Sequence, residues 1–240
     1  MSTNTSPFYI PVDISHTALL ISDVQTQILS RFPIEAQKSY LEHVLKLVNV
    51  FREYIKSARA LDSAGSGGSH GVPLIVHQTL PFNLNNNAFV SPYNKLAKWV
   101  KSLEEQGFFS KTSSDPHHPD FAIPEVLKPE GGWGSSRDEI VIGKLQPNCF
   151  ASSDLMKYLN ARGIKHVVLI GLTTMGSILG SARAGADLDY HIICPRECII
   201  DDDAEVDEFL MKRVLPKFVD VVQLHDMLSF NPGSVSEKGI

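Results

Sequence analysis

"GLTTMGSILGSARAGADLDY", residues 171–190, follows directly on the apolar run "HVVLI". An apolar run without alternation reads as a strand buried on both faces, and the polar turn after it opens a helix. Such a junction presents one side chain to a ligand, and here that side chain is Ser177. Three readings stay open from the residues alone. Ser177 is a nucleophile, an N-terminal cap of the kind serine favours, or the remnant of a lost nucleophile. In each reading the amides of residues 173–177 point into the loop and favour negative charge.

Outward from this junction the same pattern repeats. "HTALLISDV" (16–24) is a short strand ending at Asp23, "PLIVHQT" (73–79) one ending near His77, and "EIVIGK" (139–144) one ending at Lys144. "HIICP" and "VDVVQL" are further strands. Between them lie helical stretches. Residues 35–60 carry Leu41, Val44, Leu45, Val48, Phe51, Tyr54 and Ile55 at helical spacing. "KLAKWVKSLEEQG" is a short helix, and "SSDLMKYLNARG" (152–163) is another, with Ser152 or Ser153 as cap and Gly163 as stop. Residues 177–189 and "AEVDEFLMKRVLPKF" complete the helices, the last behind an acidic cluster suited to a helix N-terminus. Strands of uninterrupted apolar residues alternating with helices define an α/β domain, three layers deep, with a mostly parallel central sheet. Such sheets bind ligands at the carboxyl ends of their strands. Asp23, His77, Lys144 and the 172–176 loop all fall there.

At 240 residues and 43% hydrophobic content the chain suits one domain, residues 1–240, with its core at about 15–225. A net charge of −5 without a basic block argues against nucleic acid as a partner. No apolar run approaches the length of a membrane span, and the N-terminus lacks the pattern of a signal peptide. Cys149, Cys194 and Cys198 fit no zinc or redox spacing and read as free thiols. These features predict a cytoplasmic protein. The Gly/Ser-rich stretch 61–71, the Asn-rich loop 80–95 and residues 110–137 read as surface loops.

A carboxylate at the mouth of a buried strand is desolvated, which raises its pKa, and a nearby cation opposes that. Asp23 and Lys144, were their strands neighbours, would form such a pair: the carboxylate would then pass protons while the ammonium holds it in place or polarises a substrate oxygen. Taken singly, each also suits a structural role, as a cap or a solvent-reaching side chain. His117 and His118 are adjacent but lack further ligands at metal spacing. No phosphate-cradling glycine motif is present, and no cofactor or metal is expected.

Together these segments resemble the isochorismatase-like hydrolases, also called cysteine hydrolases, over about residues 15–225. "TALLISDVQ" resembles the family's first-strand motif, an apolar run ending in Asp-x-Gln, and places Asp23 at the catalytic acid/base. "VIGKLQPNCFASSDLMKYLNARGIKHVVLIG" resembles the central motif, with Lys144 at the catalytic lysine and Phe150 at the pocket aromatic. "GLTTMGSILGSARAGADLDY" resembles the third motif, in which the family's nucleophilic cysteine falls on position 177. This chain has Ser177 there, and none of its three cysteines aligns with that position. Met175 departs too, since many amide-cleaving members carry a polar residue there.

The resemblance implies an isochorismatase-like, Rossmann-like fold and a small polar or carboxylated substrate. It also implies a homo-oligomer, dimer or tetramer, with Trp99 or Trp133 at its interface, and a cis peptide at Leu172–Thr173. Isochorismatases themselves lack the cysteine and cleave a vinyl ether by protonating the alkene carbon. The resemblance therefore supports Asp/Lys acid–base catalysis by Asp23 and Lys144 with Ser177 beside them. Gln25, Phe32, His77, Phe82, Tyr93, Phe150, Thr173 and Met175 are the expected substrate contacts. Two alternatives remain: a Ser177-dependent amidohydrolase, and a binder that keeps the pocket without the reaction. An engineered Cys-to-Ser change at position 177 also fits the sequence.

Overall fold

The structure, a computed structural model, describes residues 6–63, 71–80, 90–107 and 122–228. Seven strands form one sheet: β1 (Thr17–Ser22), β2 (Leu74–Thr79), β3 (Glu139–Gly143), β4 (His166–Leu172), β5 (His191–Pro195), β6 (Ile199–Ile200) and β7 (Asp220–Val222). Among the described residues the α-helices are α1 (Thr26–Leu29), α2 (Ile34–Ser63), α3 (Leu96–Glu105), α4 (Leu155–Ala161), α5 (Leu179–Asp187), α6 (Ala204–Phe209) and α7 (Leu224–Leu228). The strand order is β3-β2-β1-β4-β5-β7, every pairing is parallel, and β6 pairs with the end of β4. From β1 the chain builds outward to β2 and β3, then returns to the other side of β1 with β4. The order thus reverses between β1 and β4, where sheets of this kind open a crevice at their carboxyl ends.

The central strands are apolar throughout because both faces are covered. Leu19, Ile21, Val168 and Ile170 pack on one side with Val44, Leu47, Val48 and Phe51 of α2. Leu20, Val167 and Leu169 pack on the other with Leu155 and Leu159 of α4, Ala182 of α5, and Met211 and Leu215. Alternate side chains of β1 and β4 thus belong to different cores. The buried stripe of α2 is Tyr40, Val44, Leu47, Val48, Phe51 and Tyr54, while Leu41, Leu45 and Ile55 are only partly covered. No helix among the described residues is long and apolar enough to cross a membrane.

Three local features depart from the sequence reading. The helix expected from Ser177 begins earlier, as a π-helical turn at Thr174–Ile178 that runs into α5. Its cap is Thr173, whose side chain accepts from the Gly176 amide at 3.2 Å, so Ser177 sits inside the turn and is not its cap. The single helix expected over "AEVDEFLMKRVLPKF" is α6, a π turn at Leu210–Val214 and a 3-10 turn at Leu215–Lys217, where Pro216 has no amide proton to continue the ladder. The cap residue of α4 is Asp154, which makes no side-chain cap bond; Ser153 Oγ accepts from the Leu155 amide at 3.3 Å. The acidic cluster does cap α6, through Asp203 accepting from the Glu205 and Val206 amides.

Candidate active site

β1 ends in a tight turn. Asp23 has a φ of 58°, a left-handed conformation that Asp tolerates better than most residues. Its amide donates to Gln78 O of β2 at 2.8 Å. At the matching end of β4, Gly171 has a φ of 136°, and a Cβ there would lie 2.0 Å from Ser22 O. Only glycine allows the two strand ends to approach this closely. The Leu172–Thr173 peptide that follows is cis.

These turns bring Asp23, Lys144 and Ser177 together. Lys144 Nζ donates to Asp23 Oδ2 at 2.7 Å, to Pro147 O at 2.5 Å and to Ser177 Oγ at 3.2 Å. That uses all three donors of an ammonium group. Lys144 is 1% exposed, Asp23 3% and Ser177 2%. Burial pushes the Asp23 carboxyl up to about 6, although Lys144 pulls it the other way and the nearby Ser177 and Ser22 hydroxyls do so less strongly. Asp23 Oδ1 is buried and has no hydrogen-bond partner. A carboxyl titrating near neutrality, with one oxygen open, can donate or accept a proton at working pH.

Ser177 Oγ is crowded. Besides Lys144 it meets Pro147 O at 2.9 Å, Ser22 Oγ at 2.5 Å and Cys149 Sγ at 3.7 Å. Cys149 Sγ donates to Ser22 Oγ at 3.1 Å. Sequence reading missed Ser22 and Cys149. The signal for Ser22 was a hydroxyl inside the apolar run just before Asp23. For Cys149 it was a thiol five residues beyond Lys144, on a loop that turns back at Pro147. Gln78 holds that loop, its Nε2 donating to Cys149 O at 2.9 Å and Ser153 Oγ at 3.0 Å.

The other expected contacts are scattered. Gln25 clasps the Leu80 backbone, accepting from its amide at 2.8 Å and donating to its carbonyl at 3.1 Å. Phe32 is buried in the α2-side core. His77 is buried within β2, with Nε2 2.9 Å from Glu139 Oε1 and its ring edge-on to Trp133 at 4.9 Å. Arg52 pairs with the same Glu139, so these groups form a structural ion network. Burial holds the His77 pKa below its ordinary value. Tyr93 is 98% exposed. The Phe150 ring stacks on Tyr190 at 5.8 Å, and Trp99 packs partly buried against the α2-side core. Phe82, His117 and His118 lie outside the described residues.

The anion-binding capacity of the 173–177 loop is smaller than its amides suggest. The Met175 amide donates to Asp201 Oδ2 at 2.8 Å, Gly176 N to Thr173 Oγ1, and Ser177 N to Thr173 O at 3.0 Å. The amides of Met175, Gly176 and Ser177 are thus already engaged within the protein. The Met175 side chain is largely exposed. All three cysteines are free and buried, and burial pushes the Cys194 and Cys198 thiols well up. Among the described residues no group of three or more His, Cys, Asp or Glu side chains is placed to hold a metal ion.

The parallel sheet, with Asp23 and Lys144 paired at its carboxyl edge, is that of an α/β fold, and comparison with known proteins names its family. The chain belongs to the isochorismatase domain family, whose model matches residues 17–226. It is similar to maleamate amidohydrolase of Pseudomonas putida, 30% identical over 111 residues, which cover 46% of this chain and 49% of that protein. The match thus spans about half that relative's length. Among solved structures, an isochorismatase family protein from Burkholderia thailandensis superposes with a TM-score of 0.65 at 17% identity, covering 91% of this chain and 97% of that one. N-carbamoylsarcosine amidase from Thermoplasma acidophilum superposes with a TM-score of 0.58 at 17% identity, covering 87% and 96%. At these identities the two structures speak for the fold alone.

Proposed function

We propose that the protein is a hydrolase that works on a small polar or carboxylated molecule by proton transfer through Asp23, without a covalent bond to Ser177. The observation that carries this reading is the hydrogen bonding of Ser177. Its Oγ accepts from the Lys144 ammonium, donates to Pro147 O, and sits 2.5 Å from Ser22 Oγ. The ammonium occupies a lone pair of the oxygen, and the hydroxyl proton has only Pro147 O or the Ser22 hydroxyl to face, neither of which is a base able to take it. A hydroxyl nucleophile needs a free lone pair and a base at its proton. Lys144 is the alternative base, but its Nζ donates to Asp23 Oδ2, Pro147 O and Ser177 Oγ, the three contacts of an ammonium group, which has no lone pair to offer.

Asp23 then gives its proton to the substrate atom that must become a better leaving or electrophilic centre. Water supplies hydroxide equivalent to the adjacent carbon, and its remaining proton returns to the Asp23 carboxylate. Lys144 holds that carboxylate in place and offsets its charge. For a vinyl ether the proton goes to carbon, water adds to give a hemiketal, and its C–O bond then breaks as the hydroxyl proton passes through Asp23 to the leaving oxygen; for a C–N bond the proton goes to nitrogen, water adds at carbon, and the C–N bond breaks to release the amine. The relative that cleaves maleamate supports a second reading, an amidohydrolase using Ser177. Family resemblance also supports a homo-oligomer in the cytoplasm.

A panel of small amides, maleamate among them, and small enol ethers, assayed for product release, tests the reading. Intact-protein mass spectrometry during turnover completes the test. Product without any acyl adduct is expected. An adduct mapped to Ser177 would overturn the proton-transfer reading in favour of the second.

A further inference from the structure

β3 is the last strand of the sheet, and one side of it has no neighbour among the described residues. Its pairing with β2 fixes which backbone groups face outward. Ile75 N donates to Asp138 O at 2.8 Å where the ladder starts, and Lys144 N donates to Thr79 O at 2.9 Å where it ends. Successive residues of a strand turn their backbone groups to opposite sides, so Asp138, Ile140, Ile142 and Lys144 face β2. Glu139, Val141 and Gly143 face away, and no described residue bonds to their outward groups.

An edge of this kind invites another strand, and proteins blunt it with lysine, proline, a bulge or a very short strand. The opposite edge is blunted: β7 has 3 residues, and the Tyr9 amide reaches the Asp220 side chain at its start. β3 has 5 residues, reads EIVIG, and carries neither lysine nor proline. Its one charge, Glu139, is turned inward to Arg52 and His77 and is nearly buried. Val141 is exposed, and a Cβ on Gly143 would meet nothing within 4 Å. Leu145, just past the strand, is exposed too. So is Trp133, whose ring lies on His77, the register partner of Val141.

We propose that β3 is the contact between two copies of this chain, paired antiparallel about a two-fold axis at Val141, so that the two sheets run on as one. The strand's own symmetry selects the partner. Val141 exchanges both of its outward backbone bonds with the partner's Val141, and Glu139 does the same with the partner's Gly143. Every outward donor and acceptor is then met. Ile140 lies against the partner's Ile142 on the opposite face of the sheet. No like charges meet, because the only carboxylate of the strand stands opposite a glycine. The inference deepens the homo-oligomer reading, on which it rests, by giving that oligomer its surface, and it is independent of the reaction at Asp23.

Analytical ultracentrifugation of the full chain at micromolar concentration tests the contact, with circular dichroism to show that each variant is folded. Wild type should sediment as a dimer or an even multiple of one. Val141→Lys brings two ammonium groups together at the axis and should weaken the dimer by about tenfold or more, since like charges meeting in an interface are strongly unfavourable. Val141→Pro removes a donor that β2 does not use and should act in the same direction. A third variant gives a gain of signal. Residues paired in this way have Cα atoms about 5.5 Å apart, within reach of a disulfide. Oxidised Val141→Cys should therefore run as a covalent dimer, and Leu145→Cys, set off from the axis, should not. Should the lysine and proline variants not fold, the disulfide decides alone. A monomeric wild type would overturn this proposal and the homo-oligomer reading together. An oligomer that Val141→Lys leaves intact, or in which Val141→Cys forms no disulfide, would overturn this proposal alone.

Discussion

Lys144 Nζ lies 2.7 Å from Asp23 Oδ2, across a pair that is almost wholly buried and joins residues 121 positions apart. Two charges removed from water gain from each other less than their burial costs unless the remaining donors are satisfied. Lys144 meets that condition through Pro147 O and Ser177, whereas Asp23 leaves Oδ1 open. The imbalance sits on the carboxyl, which is why its pKa rises to about 6.

That rise makes stability depend on pH. Asp23 titrates near 4 in the unfolded chain and near 6 in the folded one. Between these values the folded state binds more protons, so stability falls as pH rises through the window. The Asp23 penalty is absent below pH 4 and complete above about 6, at about 3 kcal/mol for a shift of roughly two units. Asp23→Asn has no such group and should gain that much on wild type between pH 4 and pH 7.5 in urea unfolding. A difference between the two proteins that stays constant over this range would contradict the assignment.

Lys144→Met removes the counter-charge. Asp23 should titrate higher still, because Lys144 is the main influence lowering it. At pH 8 the variant holds an uncompensated buried carboxylate, or must protonate it, and should lose about 3–5 kcal/mol. At pH 5 the carboxyl is already largely neutral and the loss should be smaller. Urea unfolding at both pH values checks this, and equal losses would count against a charged pair.

How far this site was legible depended on strand ends. Apolar runs located β1, β3 and β4, and because parallel strands end on one edge, Asp23, Lys144 and Ser177 were expected together. Ser22 and Cys149 were not expected. Ser22 looked like part of the run, and Cys149 returns only because the loop turns at Pro147 onto Lys144. Loop position also says nothing of side-chain direction. Tyr93 faces solvent, Phe150 lies on Tyr190, and Phe32 fills the core. His77 stands among the expected substrate contacts, but its partner Glu139 lies 62 positions away on the next strand, and no local spacing announces that pairing.

Ser177→Cys places a thiol where Lys144 and Asp23 already meet. A thiol ionises several units below a hydroxyl and needs less help from a base. The variant should gain hydrolysis of small amides that wild type cleaves slowly or not at all, and iodoacetamide should label position 177 faster than Cys149, because the Lys144 ammonium lies 3.2 Å from the side-chain oxygen at position 177. Labelling without new amide cleavage would mean that the surrounding loops no longer hold an amide in the family's geometry.

If chemistry passes through Asp23 and not through a bond to Ser177, turnover of one substrate by wild type, Asp23→Asn and Ser177→Ala, measured side by side, will show it. Asp23→Asn should lose on the order of 10²–10⁴ in rate, the usual worth of a positioned acid. Ser177→Ala should lose far less, since a hydrogen bond is removed and no nucleophile. Equal and near-complete losses in both variants would contradict the account, because groups that act as one catalytic unit fail together.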